Sequence, residues 1–274
     1  MPTPENAPTD TPDQKEASLA APHCIAPAWH TLLLVAGILV LSFAGAKELT
    51  GQHASQINRM QTYAFTAGTE AVMLAWVYFG LRLRKVPFVS LLGDIPGNIR
   101  SIALDFGIAL AFWMGSLFVL GTIGILWQIA EYAIQHHAFY APGTTIAPDA
   151  AQQHTLHTLT ALAPATAAQV AAWVLLCIMA GFTEEVVFRG YLQRQFTAWG
   201  RGALAYGVIF SALLFGFAHG YQGARNMLLL SFFGALFSLL TIFRRSLRPG
   251  IFAHAWQDLI AGLMLSALHA HHML

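Results

Sequence analysis

The chain has 274 residues, 56% of them apolar and only 10% charged, with a net charge of +1. Soluble domains average nearer ~25% charged residues, so the composition is that of a polytopic helical membrane protein and gives no basis for a nucleic-acid partner. The two cysteines, Cys24 and Cys177, supply neither a disulfide framework nor a thiolate metal site.

Residues 1–28 are Pro, Thr, Ala and acids with one Lys, and are expected to form a disordered tail. An apolar run follows at 29–46. Ala44-Gly45-Ala46 near its end has the small-x-small pattern of a signal-peptide cleavage site. The stretch before the run is long and acidic, not short and basic, so the run is read as a retained span. Further apolar segments at 63–81, 101–130, 168–183, 203–219, 226–243 and 250–268 bring the count to seven. Each carries few or no charges over ~17–25 residues, the length that crosses hydrocarbon. No β-barrel alternation is present, and a helix satisfies its own backbone in lipid. A break near Gly121 or Gly124 in the long third segment would give an eighth element. The expected fold is therefore all-α, a polytopic helical membrane bundle of seven or eight transmembrane helices. It divides into a tail (1–28), N-terminal transmembrane helices (29–135), an external loop (136–167), a transmembrane core (168–268) and a C-terminal tail (269–274).

Orientation follows from the basic residues. With the N-terminus in the cytoplasm, cytoplasmic segments hold Lys15, Arg82, Arg84, Lys85, Arg100, Arg189, Arg194, Arg201, Arg244, Arg245 and Arg248, which is 11 of 14 Lys and Arg. Lys47, Arg59 and Arg225 fall outside, a strong positive-inside bias. The expected location is a bacterial cytoplasmic membrane. The external loop holds His136, His137, His154 and His157, but no acid or Cys completes a ligand set, so it reads as a polar connector. His269, His271 and His272 read as an exposed end.

Within VAAWVLLCIMAGFTEEVVFRGYL, the 13 residues Val170–Phe182 carry no charge before Glu184-Glu185. A carboxylate at the bilayer centre costs ~2.5–3.5 kcal/mol on insertion scales, so a tandem pair needs a compensating use. Arg189 lies four residues after Glu185, on its helix face. Glu184 points about 100° away and has no local partner. His219 ends the fifth span, four residues after Phe215. His254 and Asp258 are four apart in the seventh.

Depth can be checked by counting. If the helix bearing Glu184 runs on to Trp199 and turns at Gly200-Arg201-Gly202, Glu184 lies ~22 Å from the turn and His219 ~25 Å back up the next helix. His254 lies only ~6–9 Å beyond Arg248-Pro249-Gly250. Either that turn is sunk in the protein, or residues 188–201 do not continue the span.

A desolvated Glu184 suits general-base work on a water held against His219, which could attack a peptide carbonyl. His254 and a protonated Asp258 could then steady the oxyanion. Glu184, His219 and His254 could equally hold a divalent metal such as zinc. Alone, Glu185–Arg189 reads as structural pairing, and a lone intramembrane His or Glu is often an interhelical hydrogen-bonding group. Five ionisable residues in three neighbouring spans are harder to explain that way. Trp173, Trp256, Phe232, Phe233 and Phe237 read as packing and interface anchors.

Glu184-Glu185-x-x-x-Arg189, Phe215-x-x-x-His219 and His254-x-x-x-Asp258, in that order on successive spans, resemble the CAAX protease and bacteriocin-processing (Abi) family of intramembrane endopeptidases. That family includes the type II CAAX prenyl proteases. Arg189-Gly190-Tyr191-Leu192 and Arg248-Pro249-Gly250-Ile251 fit the same pattern. The resemblance covers roughly 168–268. It implies Glu184 and His219 as the water-activating pair, His254 and Asp258 as the oxyanion side, and Glu185, Arg189 and Phe215 as support. It implies a peptide or protein-tail substrate, lipidated or not, and leaves metal-dependent and metal-free mechanisms both open. The prenyl proteases have Asn where this chain has Asp258. An amide donates at any pH and a carboxyl only when protonated, so prenyl-CAAX specificity does not follow.

His-Glu-x-x-His, Gly-x-Gly-Asp and Gly-x-Ser-x-Gly signatures are absent. Competing expectations are a proton- or ion-coupled transporter relaying through Glu184, His219 and Asp258, and an inactive immunity or scaffold member. Against transport, no inverted repeat and no second acidic span mirrors the first.

Overall fold

The computed structural model describes residues 23–50, 57–136 and 150–271. The elements are α1 (Ala28–Thr50), α2 (Arg59–Leu83), a 3₁₀ turn (Phe88–Leu91), α3 (Ile99–His136), α4 (Ala150–Leu162) and α5 (Ala167–Glu184). A π-helical segment (Glu185–Leu192) and α6 (Gln193–Trp199) continue α5. Then come α7 (Leu204–Ala218), a 3₁₀ turn (Gly220–Gln222), α8 (Ala224–Arg244) and α9 (Arg248–Ala270). No strand occurs among the described residues beyond one isolated bridge. Six helical stretches are long and apolar enough to cross a bilayer, with α7 a shorter seventh. The all-helical membrane bundle is as expected.

Three boundaries differ from the sequence expectation. α3 runs unbroken through Gly121 and Gly124. Its 38 residues span ~57 Å, well beyond a hydrocarbon core of ~30 Å. The connector expected as loop at 136–167 contains α4, and the C-terminal tail starts inside α9. His137 and His272, and the side chains of His136 and His154, lie outside the described residues, as does the tail through residue 22.

The helix starts carry their own explanations. Asn58 accepts a hydrogen bond from Gln61 N at the start of α2, and Thr166 accepts from Gln169 N at the start of α5. The Gln169 side chain accepts in return from Ala165 N, satisfying a further free donor. Pro249 occupies the first turn of α9, where a missing N–H costs nothing.

Phe43, Phe65, Val72, Phe118, Leu175 and Phe243 stand exposed around the outside, as lipid-facing residues do. The interior is built on the π segment, whose eight residues are all buried. Val186, Val187, Phe188, Tyr191 and Leu192 pack with Val77, Leu81, Leu91, Phe215 and Leu247.

Polar pins set the register. The Tyr191 hydroxyl meets His30 Nδ1 and Thr31 Oγ1, each at 2.8 Å. His30 Nε2 meets the Trp76 carbonyl at 2.8 Å, so Nε2 is the donor and Nδ1 accepts from Tyr191. At one end of the bundle, Leu247 N donates to Leu92 O and Asp94 N to Arg245 O. Asp105, buried on α3, accepts from Arg244 Nη2 at 2.7 Å and Arg248 Nε at 2.6 Å. This acid within the third span draws the α8–α9 turn inward.

Candidate functional site

The site forms where α5 passes into the π segment, against the first turns of α9. Gly181 makes the approach possible: a Cβ there would lie 2.8 Å from Ala255 N. Gly250 has the same role, since its Cβ would stand 3.0 Å from Glu185 Oε2. Small residues at helix crossings in membranes allow this closeness. Wide π turns within α-helices frequently mark functional sites, and this one begins at Glu185.

Glu185 is fully buried. Its Oε1 lies 3.0 Å from Arg189 Nη1 and 3.0 Å from His254 Nδ1. Arg189 donates through Nη2 to Gly234 O at 3.4 Å. Its guanidinium lies 4.3 Å from the Phe215 ring centre and 5.0 Å from that of Phe237. A buried ion pair stacked between aromatic faces is a rigid, neutral support. Because Nδ1 of His254 donates to Glu185, Nε2 is the ring nitrogen left for chemistry.

Around that Nε2 stand Glu184 Oε2 at 3.7 Å and Asp258 Oδ2 at 3.8 Å. Both distances exceed a direct hydrogen bond and suit a bridged one. Glu184 Oε2 is buried with no hydrogen-bond partner, and the Glu184 side chain is 14% exposed. Asp258, at 35% exposure, marks the open side. Trp173 Nε1 donates to the Asp258 carbonyl, fixing α9 against α5.

His219 caps α7, with Nδ1 against the Phe215 carbonyl at 2.8 Å. That nitrogen donates, which leaves Nε2 as the free position. The Phe215 ring lies between the two imidazoles, 4.9 Å from His219 and 5.8 Å from His254. His219 is within electrostatic reach of Asp258. No hydrogen bond or ion pair joins it to Glu184: the structure places His254, not His219, against that carboxylate.

The depth difficulty at His254 resolves in favour of a sunken turn. Ser246, Leu247, Pro249 and Gly250 are buried. A Cβ on Gly190 would meet both Leu247 and Leu91, so the turn ends level with the π segment while α6 runs past it. Arg189, counted among the cytoplasmic charges, belongs to the buried site instead.

Two site residues carry signals that pattern reading missed. Glu70 on α2 is buried, its Oε2 has no hydrogen-bond partner, and it lies within electrostatic reach of Glu184, His254 and Asp258. It is an acid inside a predicted span, as is Asp105, although neither is part of a second span that mirrors the first. Tyr221 follows His219, their rings 6.1 Å apart. Desolvation, helped by the Asp258 and Glu184 charges and opposed by a hydrogen bond from Gln222, pushes its phenol up to about 12. It therefore keeps its proton as a donor. As for metal, among the described residues no three His, Cys, Asp or Glu side chains are placed to hold one ion. Glu184, His219 and His254 do not converge as a ligand set.

Residues 166–260 match the family model described as type II CAAX prenyl endopeptidase, Rce1-like. Over this segment the chain is similar to the type II CAAX prenyl endopeptidases. The match begins at the Thr166 cap of α5, ends within α9, and includes every residue of the three motifs. The family is one of proteases, and in this chain the matched segment lies within a multi-span helical bundle. No curated protein and no solved structure matches the chain significantly. α1, α2 and α3, which pack around the matched segment, lie outside it.

Proposed function

We propose that the chain is an intramembrane endopeptidase in which Glu184 activates a water for attack on a peptide carbonyl. The observation that carries this reading is the Glu184 carboxylate, free of hydrogen bonds at Oε2 and facing His254 Nε2 at 3.7 Å. Glu184 takes a proton from water, and the resulting hydroxide bonds to the carbonyl carbon. His254 Nε2 when the imidazole is protonated, the Asp258 carboxyl when protonated and the Tyr221 hydroxyl are the donors available to the oxyanion. Collapse of the intermediate breaks the C–N bond, and the proton on Glu184 passes to the leaving amine. His219, tethered through Nδ1, has Nε2 free to hold the water or the substrate. Every step as written is carried by these side chains.

The substrate is a peptide or protein tail, which meets the site on its open side beside Asp258. The family match supports a tail of CAAX type, lipidated or not. The purified protein in detergent should hydrolyse a quenched peptide ending in Cys-aliphatic-aliphatic-X, assayed with and without a farnesyl group in oxygen-18 water. The expected result is one cleavage, with one labelled oxygen in the new carboxyl. A chelator is expected to leave the rate unchanged. Absence of cleavage across a varied peptide library, with proton-driven uptake into liposomes, would place the protein among transporters instead. Glu70 does not favour that reading, because it joins the same cluster and forms no second site.

A further inference from the structure

α2 lies outside the matched segment, yet its buried face is aimed at the site. Tyr63, Glu70 and Val77 are buried at seven-residue spacing, one stripe along the helix. Two contacts fix how α2 runs beside α5 and the π segment. The Tyr63 and Trp173 rings lie 5.4 Å apart at one end. At the other, the His30 ring bridges Trp76 O and Tyr191 Oη, 2.8 Å to each. The two helical stretches are therefore parallel. Glu70 lies six residues before Trp76 and Glu184 seven before Tyr191, so both stand ~10 Å from that shared anchor. Glu70 thus sits at the depth of Glu184, buried, with Oε2 unpartnered.

The charges around it are accounted for. Glu184 on α5 and His254 and Asp258 on α9 lie within its electrostatic reach. On the π segment, Arg189 is committed to Glu185. On α1, both His30 nitrogens are occupied. On α2 itself, Arg59 and Arg82 are eleven and twelve residues away, or ~16 Å and more. Three carboxyls thus share one imidazole whose other nitrogen already serves Glu185. Neighbouring carboxyls in an apolar site do not all ionise: at least one keeps a proton.

We propose that Glu70 is a positioning residue for the hydrolysis, holding a proton within this carboxyl cluster so that Glu184 stays ionised and able to act as base. The proposal rests on Glu184 being that base. A Gln at 70 copies a neutral carboxyl in shape and in donor capacity, and cannot ionise.

The test compares wild type, Glu70→Gln and Glu184→Gln as full-length protein in detergent, on the farnesylated quenched peptide. Glu70→Gln is expected to keep kcat within about threefold at neutral pH. It is also expected to hold that rate to higher pH than wild type, whose Glu70 ionises and repels the forming oxyanion. Infrared difference spectra between wild type and Glu70→Gln at neutral pH should show a protonated-carboxyl band in wild type only. The proposal is overturned, with the base assignment intact, by an inactive Glu184→Gln alongside a Glu70→Gln with an unshifted alkaline limb and no lost band. Failure of Glu70→Gln to fold overturns it too, because an amide replaces a neutral carboxyl and not an ion. An active Glu184→Gln instead removes the reading beneath it, and the infrared band still reports whether Glu70 carries the proton.

Discussion

Glu185 and Glu184 are neighbours in sequence with opposite duties. Glu185 is locked through Oε1 between Arg189 and His254 at 3.0 Å each, whereas Glu184 approaches His254 only to 3.7 Å. Removing one partner of a buried pair leaves the other charge uncompensated, at a cost of roughly 3–5 kcal/mol. Glu185→Gln should therefore lower the unfolding temperature in detergent far more than Glu184→Gln. Equal stability of the two variants would contradict the assigned roles. Asp258 tests the oxyanion side. If it acts as a donor, Asp258→Asn should keep or raise the rate at neutral pH, because an amide donates without protonation. Complete loss of activity with the fold intact would show that a carboxylate is needed there. The pairing of Glu185 with Arg189 was legible from i, i+4 spacing. The 3.0 Å link from Glu185 to His254 was not, because residues 69 positions apart meet only through helix packing. Glu70 was legible in principle as an acid inside a span, but it has no local partner to draw the eye.

At the scale of elements, the site depends on how closely α5 and α9 cross. A Cβ on Gly181 would press on Ala255 backbone, which cannot yield as a flexible side chain can. Gly181→Leu should separate the two helices, costing about 1–3 kcal/mol of stability. Cleavage should fall by at least about tenfold, since small displacements of catalytic groups weigh heavily on rate. A full rate in this variant would show that the crossing does not position His254. Hydropathy located the spans well, because lipid demands long apolar helices whatever their packing. Counting along the helices allowed for α5 running on to Trp199 and held a sunken α8–α9 turn as one of two alternatives, but it did not foresee the π segment between. The turn is held by a polar partner far along the chain, Asp105 with Arg244 and Arg248.

Across the whole molecule, the loops divide by charge. The α2–α3, α6–α7 and α8–α9 connections meet at one end, around a cavity of about 450 Å³ lined by Arg194, Arg245, Leu92 and Leu204 among others. Arg82, Arg84, Lys85, Arg201 and Arg244 belong to the same end by helix alternation. Tyr63 with Leu162, and Thr155 with Gln222, mark the opposite end. By the positive-inside rule we propose that the basic end faces the cytoplasm. With Cys24 and Cys177 replaced by Ala, an impermeant thiol reagent added outside intact cells should label Gln61→Cys and spare Arg84→Cys. The reverse pattern would invert the topology. The proposal that most depends on all three scales is that Glu184 is the base of a peptide hydrolysis. Its most direct test is the turnover of purified Glu184→Gln beside wild type on one peptide, with thermal unfolding recorded for both. The account predicts unchanged unfolding and a rate lower by ~10²–10⁴-fold; a Glu184→Gln protein that cuts at the wild-type rate would contradict it.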